Sequence, residues 1–212
     1  NKMKYIQILI GSAFVIFFIS CTTKVAVKKS AENPYLAEKL KDAGMRIVYK
    51  PPAGFVETGI DEAVPFKYDY ALKSLTDDIE IRYVIRPFIY YKREYEALKK
   101  QPGVVLVPLS DTDYLNDLLV IVMNLSGSPD NIKTVKNFPS EAVKMEFKAD
   151  WGNSTFLVLN PSYDKKYKFC TIVTLHRKNR GDAYILYLGN DVRKMTEYLM
   201  NAPLFYNLQY LD

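Results

Sequence analysis

The segment YKFCTIVTLHRKNRGDAYILYL, Tyr167 to Leu188, decides the fold. Tyr167 to His176 and Asp182 to Leu188 are rich in β-branched and aromatic residues, which reads as two strands. Lys178-Asn179-Arg180-Gly181 between them is a connection of hairpin length. A parallel pair needs a crossover of a dozen or more residues, so these strands run antiparallel.

Upstream, Gly152-Asn153 turns into a further strand over Thr155 to Leu159. Before it, Val143, Met145, Phe147, Ala149 and Trp151 alternate with Lys144, Glu146, Lys148 and Asp150. The alternation predicts a strand, although Pro139-Ser140-Glu141 has the form of a helix start, because a helix would scatter those charges around its circumference. Ile79, Ile81, Tyr83 and Ile85 alternate with Glu80, Arg82, Val84 and Arg86, a half-buried strand closed by Pro87. Phe66 to Leu72 alternates in the same way, with Asp77-Asp78 as the turn between the two.

Helices are predicted over Tyr35 to Ala43, with Leu36 and Leu40 inward and Gly44 as the stop, and over Lys92 to Lys100. Another is capped by Asp111 and runs to about Leu125, with Leu115, Leu118, Leu119 and Val122 as its stripe and Ser126-Gly127 as its end. Asp191 caps a last one, with Val192, Met195, Tyr198 and Leu199 inward. Two early strands, helices, a four-strand meander and a closing helix make an α+β domain: a mostly antiparallel β-sheet flanked by helices.

The chain has 212 residues, 49% of them hydrophobic and 25% charged, a balance that fills a core and excludes a disordered or collagenous chain. The first twenty residues stand apart. Lys2 and Lys4 precede an almost unbroken apolar run, Ile6 to Ile19, too short for a membrane span and suited to a signal peptide. The run ends in Phe17-Phe18-Ile19-Ser20-Cys21, which resembles the lipobox of bacterial lipoproteins, with Phe18 in place of the usual Leu.

The resemblance implies diacylglycerol on Cys21, cleavage before it, and stable anchoring by more than one acyl chain. Thr22 rather than Asp follows the Cys, which by resemblance to the sorting rule of enteric bacteria implies the outer membrane, facing the periplasm. Residues 1–20 are then the signal peptide, 21–33 the lipidated Cys with a polar tether carrying Lys24, Lys28 and Lys29, and 34–212 one domain. Loss of Lys2 and Lys4 lowers the formal charge from +5 to +3.

The segment Arg46-Ile47-Val48-Tyr49-Lys50-Pro51-Pro52-Ala53-Gly54-Phe55 resembles the opening of the PsbP-like fold, a strand followed by a proline-glycine-aromatic turn. His176-Arg177-Lys178-Asn179 turning into Ala183-Tyr184-Ile185 is similar to that family's closing hairpin. The likeness covers most of residues 45 to 200 in element order and these two short pieces in residues. It implies a binding or assembly factor of the envelope, without a shared catalytic set.

The residues themselves offer little chemistry. With Cys21 lipidated, Cys170 is the one remaining thiol and His176 the one imidazole. Six residues of strand put the two ~20 Å apart, too far for a nucleophile and its base. A buried Cys170 and a surface or hairpin His176 are expected. No metal site, cofactor, catalytic residue or nucleotide loop is expected, and Asp111, Asp113 and Asn116 read as capping rather than as a calcium site.

The residues proposed for binding are Tyr91, Lys92 and Arg93 of one basic-aromatic cluster, Lys166 of the other, and Arg180 of the hairpin loop. Export and a charge of +3 argue against nucleic acid. The expected partners are membrane lipid, through Cys21, and an envelope protein. The alternative is an envelope enzyme with a carboxylate pair such as Glu80 and Asp69. Arg180-Gly181-Asp182 reads as hairpin chemistry at an exposed tip, with cell adhesion as a weaker option.

Overall fold

The Tyr167–Leu188 segment folds as the antiparallel hairpin its pattern predicts. The computed structural model describes residues 34–212; the expected signal peptide, lipidated Cys21 and tether fall on residues 1–33, outside the described residues. In chain order the elements are α1 (Pro34–Ala43), β1 (Met45–Ile47), β2 (Phe55–Glu57), β3 (Tyr70–Ser74), β4 (Ile79–Pro87), α2 (Phe88–Lys99) and α3 (Asp113–Ser126). Then follow β5 (Ile132–Asn137), α4 (Ser140–Ala142), β6 (Trp151–Val158), β7 (Phe169–Arg177), β8 (Gly181–Gly189), α5 (Val192–Leu199), α6 (Ala202–Phe205) and β9 (Leu208–Tyr210).

Seven strands form one antiparallel sheet in the order β2-β3-β4-β8-β7-β6-β5, and β1 pairs with β9 apart from it. The fold is therefore α+β, with β5 to β8 as the meander. Register places Arg86 of β4 beside Asp182 of β8, Asp182 beside His176 of β7, and His176 beside Trp151 of β6. Paired residues share a face, so these four make one cross-strand row at one end of the sheet.

Both faces are covered. Ile81, Tyr83, Ile85, Val173 and Tyr187 pack with Leu40 of α1, Met195 of α5 and Leu204 of α6. Val84, Ile172, Tyr184 and Leu186 pack on the other face with Leu118, Ile121, Val122 and Leu125 of α3. This covering corrects the half-buried reading of β4. Its charged side is inside as well, because Arg82 donates to Glu80 Oε1 at 2.6 Å and to Asp164 Oδ2 at 2.8 Å. Tyr167 donates to Glu80 Oε2 at 2.9 Å, and the Tyr68 ring lies 4.8 Å from the guanidinium.

The Phe66–Leu72 strand begins only at Tyr70. Tyr68 Oη instead accepts the Asp61 amide at 2.7 Å, which folds the preceding loop onto the sheet, and Asp69 caps the ladder by accepting the Ile85 amide at 2.7 Å. The strand predicted over Val143 to Trp151 is corrected too. Ser140–Ala142 is helical and runs on as a π-turn over Val143–Phe147, and β6 starts at Trp151. Val143 and Phe147, four apart, bury together while Lys144, Met145 and Glu146 face out.

Helix α2 starts at Phe88, earlier than Lys92, and Thr112 rather than Asp111 takes the N-cap position of α3. Leu115 and Leu119 are exposed, so the buried stripe of α3 is Leu118, Ile121, Val122 and Leu125. Gly44 and Gly127 end their helices in the left-handed region, as read. Asp191 caps α5 through the Arg193 and Lys194 amides. No helix among the described residues is long and apolar enough to cross a membrane.

Candidate functional site

His176 Nδ1 lies 2.7 Å from Asp182 Oδ1, and the Asp182 side chain is 8% exposed. A carboxylate only accepts, so Nδ1 is the donor of the pair, and in the neutral ring this tautomer puts the lone pair on Nε2. No described group bonds to Nε2. The imidazole stacks on Tyr114 of α3 with ring centroids 3.9 Å apart and planes 14° apart, and Tyr114 also meets Trp151 at 5.1 Å. His176 lies in the β7–β8 hairpin as expected, but not at the surface: its side chain is 16% exposed and held by Asp182 of β8 and Tyr114 of α3.

The pair opens on a cleft of about 60 Å³ that also takes in Tyr91, Ser110, Asp117 and Lys178. Gly181 makes the local geometry possible. It sits at φ +122, and a Cβ there would stand 2.1 Å from the Arg86 carbonyl oxygen, where β4 passes into α2. Lys178 pairs with Asp111 across the cleft mouth, so Asp111 serves the rim rather than a helix cap.

At the next position along the row, Arg86 lies 5.4 Å from the Phe66 ring and 5.4 Å from the Tyr184 ring. It donates to Tyr91 Oη at 3.4 Å and faces Asp117 at 3.8 Å, while Tyr91 Oη donates to Asp117 at 3.0 Å. Burial pushes the Tyr91 phenol up, and Arg86 only partly offsets it. Burial, with Asp182 adding to it, also raises Tyr114. Both hydroxyls therefore stay protonated and able to donate at neutral pH.

Two larger cavities meet at Arg86. One, of about 470 Å³, lies along α3 and is lined by Asp117, Asn124, Asn160, Ser162 and Tyr163. The other, of about 480 Å³, lies toward α1 and is lined by Tyr35, Lys39, Glu62, Lys67 and Asp69. Pro65, Phe66 and Arg86 line both, and Asp117 joins the first to the His176 cleft.

The binding residues read from the sequence are not brought together. Tyr91 lines the His176 cleft, and Lys92 and Arg93 project from α2 into solvent, Arg93 lying 5.8 Å from the Tyr90 ring. Arg180 is exposed at the loop, its carbonyl accepting the Phe88 amide at 2.9 Å. Lys166 belongs to the opposite end, ~20 Å along β4, where it faces Glu80 at 3.7 Å.

Glu80 and Asp69 do not form a pair. Glu80 stands opposite Lys73, four positions or ~13 Å along β3 from Asp69, and Asp69 is bound to Lys39 at 2.7 Å. The exposed Arg-Gly-Asp tip is corrected as well, since Gly181 and Asp182 are buried. Cys170 is fully buried, which pushes its thiol up and keeps it protonated. Among the described residues no cluster of three His, Cys, Asp or Glu side chains could hold a metal.

Sequence reasoning tested His176 against Cys170 and passed over Asp182, six residues away. A four-residue hairpin connection with His before it and Asp after it was the available signal. Arg86 and Phe66 left none, because they meet only in the folded chain. No family model, curated protein or solved structure matches the chain.

Proposed function

We propose that the chain is a lipid-anchored lipoprotein of the bacterial envelope, at the outer membrane and facing the periplasm, whose PsbP-like domain works by binding. The groove in which two cavities meet at Phe66 and Arg86 carries the binding part of this reading. Its volume is that of sites that take small molecules or a short polymer segment, and it mixes aromatic, uncharged polar and paired charged side chains in its lining. The anchoring part rests on the apolar run that stops at Cys21.

Labelling with a palmitate analogue tests the anchor. Wild type incorporates label and fractionates with membrane, and Cys21→Ala does neither; a labelled or membrane-bound Cys21→Ala chain overturns it. Pull-down from detergent-solubilised envelope tests the binding. Capture of an envelope component by wild type that Phe66→Ala loses supports the groove, and equal capture by both removes it.

The second reading is an envelope enzyme, and the His176–Asp182 pair favours it over the carboxylate pair expected from sequence. A neutral imidazole oriented by a carboxylate is a general base, which typically contributes 10²–10⁴-fold. Its test is turnover lost in His176→Gln while ligand affinity stays.

A further inference from the structure

The hydroxyls of Tyr184 and Thr174 are buried and have no hydrogen-bond partner among the described residues. They are neighbours, paired across β7 and β8 one step in from His176 and Asp182 and on the same face. Leaving a hydroxyl dry and unpaired costs about 1–3 kcal/mol, so two in one place need a reason. The Tyr184 ring lies 5.4 Å from the Arg86 guanidinium, and burial above all, with Asp182 next, pushes its phenol up. Tyr91, Asp117 and Asp182 line the His176 cleft, and Arg86 and Asp117 line the cavity along α3.

The charges of the groove narrow the ligand. In the two larger cavities each cation already has its carboxylate: Lys39 with Asp69 at 2.7 Å, Lys67 with Glu62 at 3.3 Å, and Arg86 with Asp117 at 3.8 Å. A strongly charged ligand of either sign would meet as many like charges as opposite ones. An acyl chain would strip water from Asn124, Ser162, Asp117 and Arg86 without replacing their hydrogen bonds. What remains is an uncharged ligand dense in hydroxyls with apolar ring faces. It donates to His176 Nε2 and Asp117, accepts from Arg86, and lays a face against Phe66.

We propose that the groove from the His176 cleft through the Arg86 junction binds a neutral glycan segment, read by His176, Arg86 and Asp117. The proposal rests on the binding reading above and gives it a ligand class.

The test is calorimetric titration of the full chain in detergent with chitotetraose, cellotetraose and maltotetraose, and with tripolyphosphate and dodecanoate as charged and apolar rivals. At least one tetrasaccharide binds saturably. Arg86→Ala and His176→Ala each weaken it at least tenfold, and Glu197→Ala, exposed on α5 over the other face of the sheet, leaves it unchanged. Asn124→Ala, an exposed rim substitution, weakens it too and keeps the test decisive if the buried variants unfold. Failure of all three sugars overturns the proposal. So does tripolyphosphate or dodecanoate binding that Arg86→Ala abolishes, and that result would leave a ligand groove standing with its class changed. Loss of the binding reading itself would show separately, as pull-down capture that Phe66→Ala does not affect.

Discussion

His176 and Asp182 are cross-strand partners in β7 and β8, and the 2.7 Å bond between them closes the hairpin at the end where α2 and α3 meet the sheet. The loop between the strands brings together two residues that sequence separates by six positions. Asp182→Ala leaves the Nδ1 donor half-buried and unpaired, and about 1–3 kcal/mol of stability is lost. Because His176 is the one imidazole in the chain, its nitrogen shifts are read without assignment work. Wild type shows the proton on Nδ1, and Asp182→Ala shows a redistributed tautomer. Identical imidazole spectra would refute the pairing.

Gly181 carries a stricter demand than the pair it precedes. At φ +122 with the Arg86 carbonyl oxygen 2.1 Å from a would-be Cβ, no rotamer relieves the contact, since the obstacle is backbone. Gly181→Ala therefore destabilises by about 3 kcal/mol or more, well beyond the ~1 kcal/mol centre of ordinary substitutions. Chemical denaturation measures it, and a loss under about 1 kcal/mol would mean that β4 and β8 do not approach this closely.

The interior ion group on β4 predicts a contrast between two substitutions. Arg82 is buried between Glu80 and Asp164, so Arg82→Ala strands two carboxylates and costs about 3–5 kcal/mol. Replacing the three together by Met, Leu and Leu removes the charges along with their bonds, so only the Tyr167 hydroxyl is left without its acceptor and the loss falls to about 1–3 kcal/mol. Denaturant midpoints of the single and triple variants decide it. A triple variant weaker than Arg82→Ala would show that the network is itself stabilising.

At the far end, Tyr198 Oη donates to Asp77 Oδ2 at 2.5 Å, and that bond, more than Thr76 or Lys194, holds the Asp77 carboxyl below its ordinary range. A value lowered by folding contributes stability above the unfolded pKa of about 4, and the contribution is lost as pH falls through the folded value. Tyr198→Phe removes the donor, so its stability falls less steeply than wild type on acidification. Urea midpoints taken from neutral pH down to about pH 2 show it. Parallel acid limbs would assign the acid sensitivity to other carboxylates.

How far the sequence was legible follows from which signals are local. The β7–β8 hairpin, the Asp191 cap and the Gly44 and Gly127 stops are local and read correctly. Strand β5, with only its first residue partly buried, has no hydrophobic alternation to read, and β2 and β9 are three residues each, set by what they pair with. The groove depends on Phe66 and Arg86 meeting across a loop and a strand. No spacing in the chain encodes that.

Segment 143–149 is where a local signal pointed the wrong way, and it yields the sharpest test. As a strand, Val143, Met145 and Phe147 would share one buried face. In the π-turn, Val143 and Phe147 are 1% and 2% exposed while Met145 is 69% exposed. Phe147 also meets Phe205 at 5.5 Å and Tyr206 at 5.1 Å, an aromatic cluster that Met145 does not enter. Phe147→Ala therefore costs about 3–5 kcal/mol, and Met145→Ser stays within about 0.5 kcal/mol of wild type. Equal losses at the two positions would restore the strand. Unequal ones show that alternation over five apolar positions arises also where Val143, Phe147 and Ala149 pack inward and the methionine among them faces water.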